Sequence, residues 1–309
     1  MRVNYLDMGV NSITRSGFIA IAGQPNVGKS TLLNGVLKEK VAIISRKPET
    51  TRDNIKGILT EGGCQMVFTD TPGIHRPHDL LGKMMLIRAQ STLLESDIIL
   101  LMTEKKTAFD REDLNIISRL PEPGRGKSVF LIINKTDRVK QKELLLPVIK
   151  KAGTVYPFDE IIPMCALNPG HLKKLIGIIK KYLPEGPFYY PEGQLTDKSE
   201  RFMIEEIIRE KVLLTVHEEV PHSVAVSVEQ MVEEEEKTLK IYATVFVERT
   251  SQKAILIGKK GASMKRIGEL ARADIEKMLS RHVYLDLWVK VFERWKRDPR
   301  AMREMGYAD

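Results

Sequence analysis

The chain is short of cysteine and of aromatics, and it has no long apolar run. Only Cys64 and Cys165 occur in 309 residues. They lie far apart and belong to no CxxC or Cys/His cluster, so neither a disulfide framework nor a zinc site is supported, and a reducing compartment fits. The longest obvious apolar run, residues 98–102, falls well short of the roughly 18 residues of a membrane span. It reads as a buried strand in a soluble protein. The first 16 residues carry two arginines, one aspartate and no continuous apolar core, which argues against a secretory signal and predicts a frayed tail.

What is present suggests two domains, because 309 residues exceed the roughly 100–200 usual for one. The net charge of +8 is concentrated. Between Arg249 and Arg300, 14 Lys and Arg face 6 Asp and Glu, which accounts for the whole excess and leaves the remainder balanced. A local basic surface fits a polyanion such as nucleic acid or an acidic membrane.

From Gly17 onward, the apolar runs FIAIAG, QMVFTDTPG, DIILLM and VFLIINKTD alternate with helical patterns and end at polar or glycine-rich turns. That alternation predicts a doubly wound, mostly parallel α/β sheet with ligand contacts at the strands' carboxyl ends. Three prolines and two glycines in LPEGPFYYPEGQ predict an interdomain linker. The expected division is therefore a tail over 1–16, an α/β domain over 17–183, a linker over 184–198 and a second domain over 199–309. The acidic tetrad 233–236 reads as a solvated hairpin turn between two alternating strands.

Three polar segments follow these strands. Gly23-Gln24-Pro25-Asn26-Val27-Gly28-Lys29-Ser30 fits GxxxxGK[ST] and opens a helical pattern at Thr31. Its backbone N–H groups would curl around phosphate oxygens, Lys29 would reach the β- and γ-phosphates, and Ser30 would ligate Mg²⁺. In Asp70-Thr71-Pro72-Gly73, the aspartate can hold Mg²⁺ through water, and the Gly73 N–H can sense a γ-phosphate whose loss releases the segment. In Asn134-Lys135-Thr136-Asp137, Asp137 can accept two hydrogen bonds from guanine N1 and its 2-amino group. Adenine offers neither donor and would leave a carboxylate unpaired, so GTP and GDP are the expected ligands. Asn134 is expected at guanine N7, and Lys135 over the ring while bracing the P-loop.

These segments resemble the translation-factor-related GTPases, and two more extend the likeness. Lys47-Pro48-Glu49-Thr50-Thr51-Arg52 is similar to the first switch, whose threonine binds Mg²⁺; Thr51 is the assignment and Thr50 the alternative. Cys165-Ala166-Leu167 resembles the Ser-Ala-Lys/Leu base loop, whose alanine N–H contacts guanine O6, with cysteine replacing serine. The position after DxxG, which orients the attacking water in Ras-like enzymes, is Ile74. An apolar side chain cannot do this, so turnover is expected to be no faster than the order of 10⁻⁴ per second of unassisted sites and to depend on a cofactor or partner. Lys29, Thr51 and Gly73 are the residues expected to act in hydrolysis. Resemblance to potassium-dependent GTPases makes Asn26 a candidate for K⁺. His75 and His78, in a switch loop, receive no role.

After the linker, the pattern is helix, strand, strand, helix, Gly258-Lys259-Lys260-Gly261, helix, strand, the order of a small α+β type II KH domain. The GxxG turn lets a nucleic-acid backbone approach closely, with Lys259, Lys260, Lys265 and Arg266 placed to meet phosphates. Trp288 and Trp295 could stack on bases, although core packing is the commoner role. The pairing, with TTR at 50–52, DTPGI at 70–74, SERFMIEEIIREK, GKKG and LWVKVFERW, resembles the Era family over nearly all residues after 16. The resemblance implies a cytoplasmic, monomeric GTPase that binds 16S ribosomal RNA near its 3′ end, assists 30S subunit assembly and can associate peripherally with the inner membrane. The rival reading is a membrane-surface or protein-docking switch whose KH fold is only a docking module.

Overall fold

The structure is a computed structural model that describes residues 14–47, 49–74, 77–104, 108–216, 220–233 and 238–307. Pro48, His75, Glu234 to Glu236 and most of the expected tail lie outside the described residues.

The first sheet has the order β2-β3-β1-β4-β5-β6, formed by β1 (Arg15–Gly23), β2 (Ile55–Glu61), β3 (Cys64–Asp70), β4 (Ile98–Glu104), β5 (Ser128–Asn134) and β6 (Glu160–Pro163). Only β2 runs antiparallel, against β3. The apolar runs are continuous because alternate residues serve two cores. Ile19, Ile21, Ile98, Leu100, Phe130 and Ile132 face one cluster, under α1 (Lys29–Leu37) and α5 (Pro169–Tyr182). Ala20, Ala22, Ile99, Leu101, Leu131 and Ile133 face the other, under α2 (Leu80–Glu95), α3 (Arg111–Ile117) and α4 (Leu146–Val155). The parallel strands thus end together at one edge, where the polar segments lie.

The stretch after α5 is fastened to this domain. The Tyr189 and Tyr190 N–H groups donate to Gln65 Oε1 at 2.7 and 2.9 Å, the Tyr189 ring lies 4.6 Å from that of Phe18, and Ile58 N–H donates to Leu195 O at 2.9 Å.

The second unit begins at α6 (Glu200–Thr215), followed by α7 (Val220–Ser223), β7 (Ala225–Glu233), β8 (Leu239–Val247), α8 (Thr250–Ile257), α9 (Ala262–Leu279) and β9 (Val283–Val291). Its sheet has the order β7-β8-β9, antiparallel then parallel. Helix α6 has apolar residues on its KH side, with Ile204, Ile207, Ile208 and Val212 in the second core. Its charged residues Glu206, Arg209, Glu210 and Lys211 are also buried: Arg209 and Glu210 meet the first domain, and Lys211 pairs with Glu210 and with Asp274 of the second.

After β9, a short turn (Trp295–Arg297) and α10 (Pro299–Glu304) pack back on α2. Leu81 and Met85 of α2 share one cluster with Ala225, Trp295, Met302, Met305 and Tyr307. Trp295 is fully buried and donates to Ser223 O at 2.9 Å, whereas Trp288, on β9, is 61% exposed. Core packing therefore describes only one of the two tryptophans.

Candidate functional site

The strand ends surround a cavity of about 780 Å³ lined by Pro25, Asn26, Gly28, Lys29, Ser30, Thr31, Thr50, Thr51, Gly73, Asn134, Lys135, Asp137, Cys165, Ala166 and Leu167, among others. Gly23, Gln24, Val27, Asp70, Thr71, Pro72, Ile74 and Thr136 do not line it; all of these except Thr136 are buried behind the wall. Sequence reasoning missed the segment Ile43 to Arg46, Arg138 and Leu214 of α6, a residue of the second domain. No local motif marks Leu214, which reaches the cavity only because α6 lies across it.

The P-loop is held from three sides. Gln24 Nε2 donates to Asp110 and Asp113 at 2.7 and 2.9 Å, and buried Asp113 also accepts from Thr103 and from Phe109 N–H. Lys135 Nζ donates to Asn26 O at 2.6 Å and pairs with Glu104, which ties the 134–137 loop to the GxxxxGKS loop. Asn26 donates from its side chain to Arg46 O at 3.0 Å. Lys29 is buried, with Nζ on Gly23 O and Gln24 O at 3.1 and 2.9 Å. Burial lowers its pKa to about 8, against the opposing charge of Asp70. An anionic phosphate entering here restores the ammonium's favourable surroundings.

Gly73 brings the 70–73 segment against this loop. A Cβ at 73 would stand 2.8 Å from Pro25 Cγ, so any side chain would push this segment off the loop. The next residue, Ile74, is 1% exposed and points into the core, so neither its chemistry nor its direction suits water positioning.

Ser30, Thr51 and Asp70 converge. Ser30 Oγ donates to Asp70 Oδ2 at 2.6 Å, lies 3.1 Å from Thr51 Oγ1, and Thr51 Oγ1 donates to Asp70 at 3.3 Å. Asp70 Oδ1 is buried and has no hydrogen-bond partner among the described residues. Burial raises the pKa of this carboxyl, while Lys29 and the two hydroxyls oppose the rise. An orphaned carboxylate oxygen beside two hydroxyls is a hard, oxygen-only donor set that fits Mg²⁺ completed by phosphate and water. Of the two threonines, Thr51 points here. Thr50 Oγ1 donates instead to Lys47 O at 2.6 Å.

At the base end, Asn134 Nδ2 donates to Val27 O at 2.8 Å and Ala166 N–H donates to Asn134 Oδ1 at 3.0 Å. The two groups expected at guanine N7 and O6 are thus bonded to each other, and a base must share or exchange that bond. Burial first and then Asp137 raise the pKa of the Cys165 thiol. Cys165 N–H donates to His171 Nδ1 at 3.0 Å.

Three consecutive residues of the first switch face different ways. Arg209 Nη2 donates to Thr50 O, Thr51 turns into the oxygen cluster, and Arg52 Nη1 donates to Val224 O with its guanidinium 5.7 and 5.8 Å from the rings of Trp295 and Tyr307. Further along, Ile44 N–H donates to Glu210 Oε1 at 2.9 Å, and Glu210 pairs with Lys40 at 2.5 Å. Burial would raise the pKa of Glu210, but the Ile44 N–H, Lys40 and Lys211 hold it below the ordinary value.

In the second domain, Lys259 to Gly261 form a tight turn between α8 and α9, with Lys260 at φ 51° and the flanking Gly258 and Gly261 at 71° and 80°. A groove of about 380 Å³ beside it is lined by Met264, Lys265, Gly268, Glu269, Arg272, Tyr284, Leu285 and Leu287. Lys265 lines the groove, while Lys259, Lys260 and Arg266 do not. Met264, Gly268 and Arg272 went unread, although their i, i+4 spacing puts them on one helix face.

A cavity walled by the GxxxxGKS, 70–73 and 134–137 loops at the strand ends of a mostly parallel α/β sheet, joined to a KH fold, defines a P-loop GTPase with a nucleic-acid-binding module. Residues 18–135 match the family described as 50S ribosome-binding GTPase, and residues 219–296 match the KH domain family. The chain is 48% identical over 300 residues to GTPase Era of Syntrophus aciditrophicus (strain SB), covering 97% of each. It is 47% identical over 294 residues to GTPase Era of Clostridium tetani (strain Massachusetts / E88), covering 95% of this chain and 99% of the relative. The fold is similar, with a TM-score of 0.92 and 40% identity over 96% of this chain and 100% of the other, to a crystal structure of Era in complex with MgGDPNP and nucleotides 1506–1542 of 16S ribosomal RNA. The chain belongs to the Era family and is a GTPase.

Proposed function

We propose that the protein is a GTP-switched factor that binds 16S ribosomal RNA near its 3′ end through its KH groove and assists 30S subunit assembly. The observation that carries the switch is the run 50–52. The backbone carbonyl before Thr51 and the side chain after it are both held by the second domain, so any movement of Thr51 strains both attachments. Bound Mg²⁺ supplies charge neutralisation between the phosphates. Ser30, Thr51 and Asp70 would hold it, Lys29 would pair with β- and γ-oxygens, and the Gly73 N–H would read the γ-phosphate. When that phosphate leaves, Thr51 and Gly73 lose their partners and the segment is released.

Ile74 offers no help with water, which supports a slow intrinsic rate and a stimulating partner. K⁺ beside the Asn26 side chain would supply extra charge, and equal turnover in K⁺ and Na⁺ buffers removes it from the scheme. The protein would act as a monomer in the cytoplasm, with peripheral contact to the inner membrane at most; among the described residues no helix is long and apolar enough to cross a membrane. By linkage, RNA binds more tightly in the GTP state and in turn tightens GTP binding. Measuring RNA affinity with GDP and with GDPNP tests this, and equal values end the proposal. Replacing Lys259 and Lys260 by aspartate separates it from the membrane-docking rival. Lost RNA binding with intact nucleotide binding favours the assembly factor, and altered liposome binding alone favours the rival.

A further inference from the structure

The KH sheet has a second face, turned away from α6 and α9. Period-two alternation puts Tyr284, Asp286, Trp288 and Lys290 of β9 on it, and the register with β8 sets Lys240, Tyr242 and Thr244 beside the first three. Phe246, at the end of this row, is already covered by the cluster around Trp295. The rest is open. Tyr284 is 52% and Trp288 61% exposed, and Tyr242 is half-buried between them on the adjacent strand.

Tyr284 and Trp288 are four residues apart on one strand, about 13 Å, with Tyr242 roughly midway. Three rings at such steps match the reach of successive unstacked bases, and aromatic rings on an open sheet are a recurring stacking platform for single strands. Lys240, 5.9 Å from the Tyr284 ring centre, and Lys290, paired with Glu229 at 3.2 Å, are matched in number by Asp286 and Glu229, so the face is nearly neutral. Its attraction would come from the rings.

Continuity decides the occupant. Tyr284 belongs both to this face and to the wall of the groove beside the GxxG turn. A strand leaving the groove over the edge strand β9 would meet Tyr284 and then Trp288. We propose that the outer sheet face, centred on Trp288, is a second RNA-contact surface that stacks the nucleotides of a single strand after they leave the GxxG groove. The proposal rests on the groove binding RNA.

The test uses the full chain with GDPNP and two single-stranded RNAs from the 16S 3′ end, one of about four nucleotides to fill the groove and one of about ten to reach beyond it. The longer RNA is expected to bind the wild type more tightly. Trp288→Ala should remove about tenfold of that advantage while sparing the short RNA, and Trp288→Phe should retain most of it. Trp295 is buried, so stacking should quench only Trp288 fluorescence, and Trp288→Phe should lose the quench. A length advantage and quench unchanged by Trp288→Ala overturn the inference, as does lost binding to anionic vesicles with both RNA affinities unchanged. Replacing Lys259 and Lys260 by aspartate tests the groove separately. If neither RNA is weakened by it, the groove reading fails and this inference with it.

Discussion

The nucleotide cavity and the seam between the domains share residues 44–47 and 49–52, and are built by opposite means. The cavity uses backbone groups and short contacts among loops at neighbouring strand ends, such as Asn134 to Val27 and Lys135 to Asn26. The seam uses buried charge brought from far along the chain, with Arg209 on Thr50 O and Glu210 on Ile44 N–H. Local loops can reshape when a ligand enters. Buried charges cannot lose one partner cheaply, because desolvation has already been incurred. A segment tied to both is what the proposed switch needs in order to carry a change in the cavity to the seam.

The largest expected effect breaks the seam. Arg209→Ala leaves Glu206 buried and uncompensated and should destabilise the protein by about 3–5 kcal/mol. Denaturant unfolding measures it, and a loss below about 1 kcal/mol would mean that the ion pair is not the seam's anchor.

Breaking the cavity instead should leave stability alone. Asp137→Asn presents a donor where guanine needs an acceptor, so GDP affinity should fall on the order of a hundredfold with an unchanged melting temperature. An unchanged affinity would move base recognition elsewhere.

How much of this was legible beforehand follows the same division. The motifs 23–30, 70–73 and 134–137 were readable because each has its chemistry in adjacent residues at a strand end, and the sheet's two cores were implied by its uninterrupted apolar strands. The GxxG turn was readable for the same reason. The burial of Arg52, Arg209 and Glu210 was not, since a charge in a loop or on a helix face looks solvated until the other domain is placed on it. Trp288 and Trp295 have similar local settings, and only the return of α10 onto α2 buries one and leaves the other exposed.

A smaller effect sharpens the cavity side. Ile74→Gln places an amide in the cluster with Ala20 and Ile99, so it should lower stability by about 1–3 kcal/mol and leave turnover no faster. Faster hydrolysis would show that residue 74 can turn toward the phosphates.

The smallest effect is on pH. The Lys29 pKa is about 8 in the free protein, below its unfolded value, and a bound polyphosphate raises it. Nucleotide binding therefore takes up a proton, and affinity should fall up to about tenfold between pH 7 and 9. Ligand-free stability should move the other way in the window from about 8 to 10.4, where the unfolded chain binds more protons. Calorimetry in buffers of different ionisation heat reads the uptake, and none at pH 8.5 would contradict the assignment.

The central claim is that the run 50–52 couples nucleotide to RNA. Its most direct test is the ratio of RNA affinities with GDPNP and GDP, measured for the wild type and for Arg209→Lys, which keeps the charge but loses the forked reach to Thr50 and Glu206. The account predicts a ratio well above one in the wild type that falls toward one in the variant, with GDP affinity little changed. A wild-type ratio of one, or a ratio that survives the substitution intact, would contradict it.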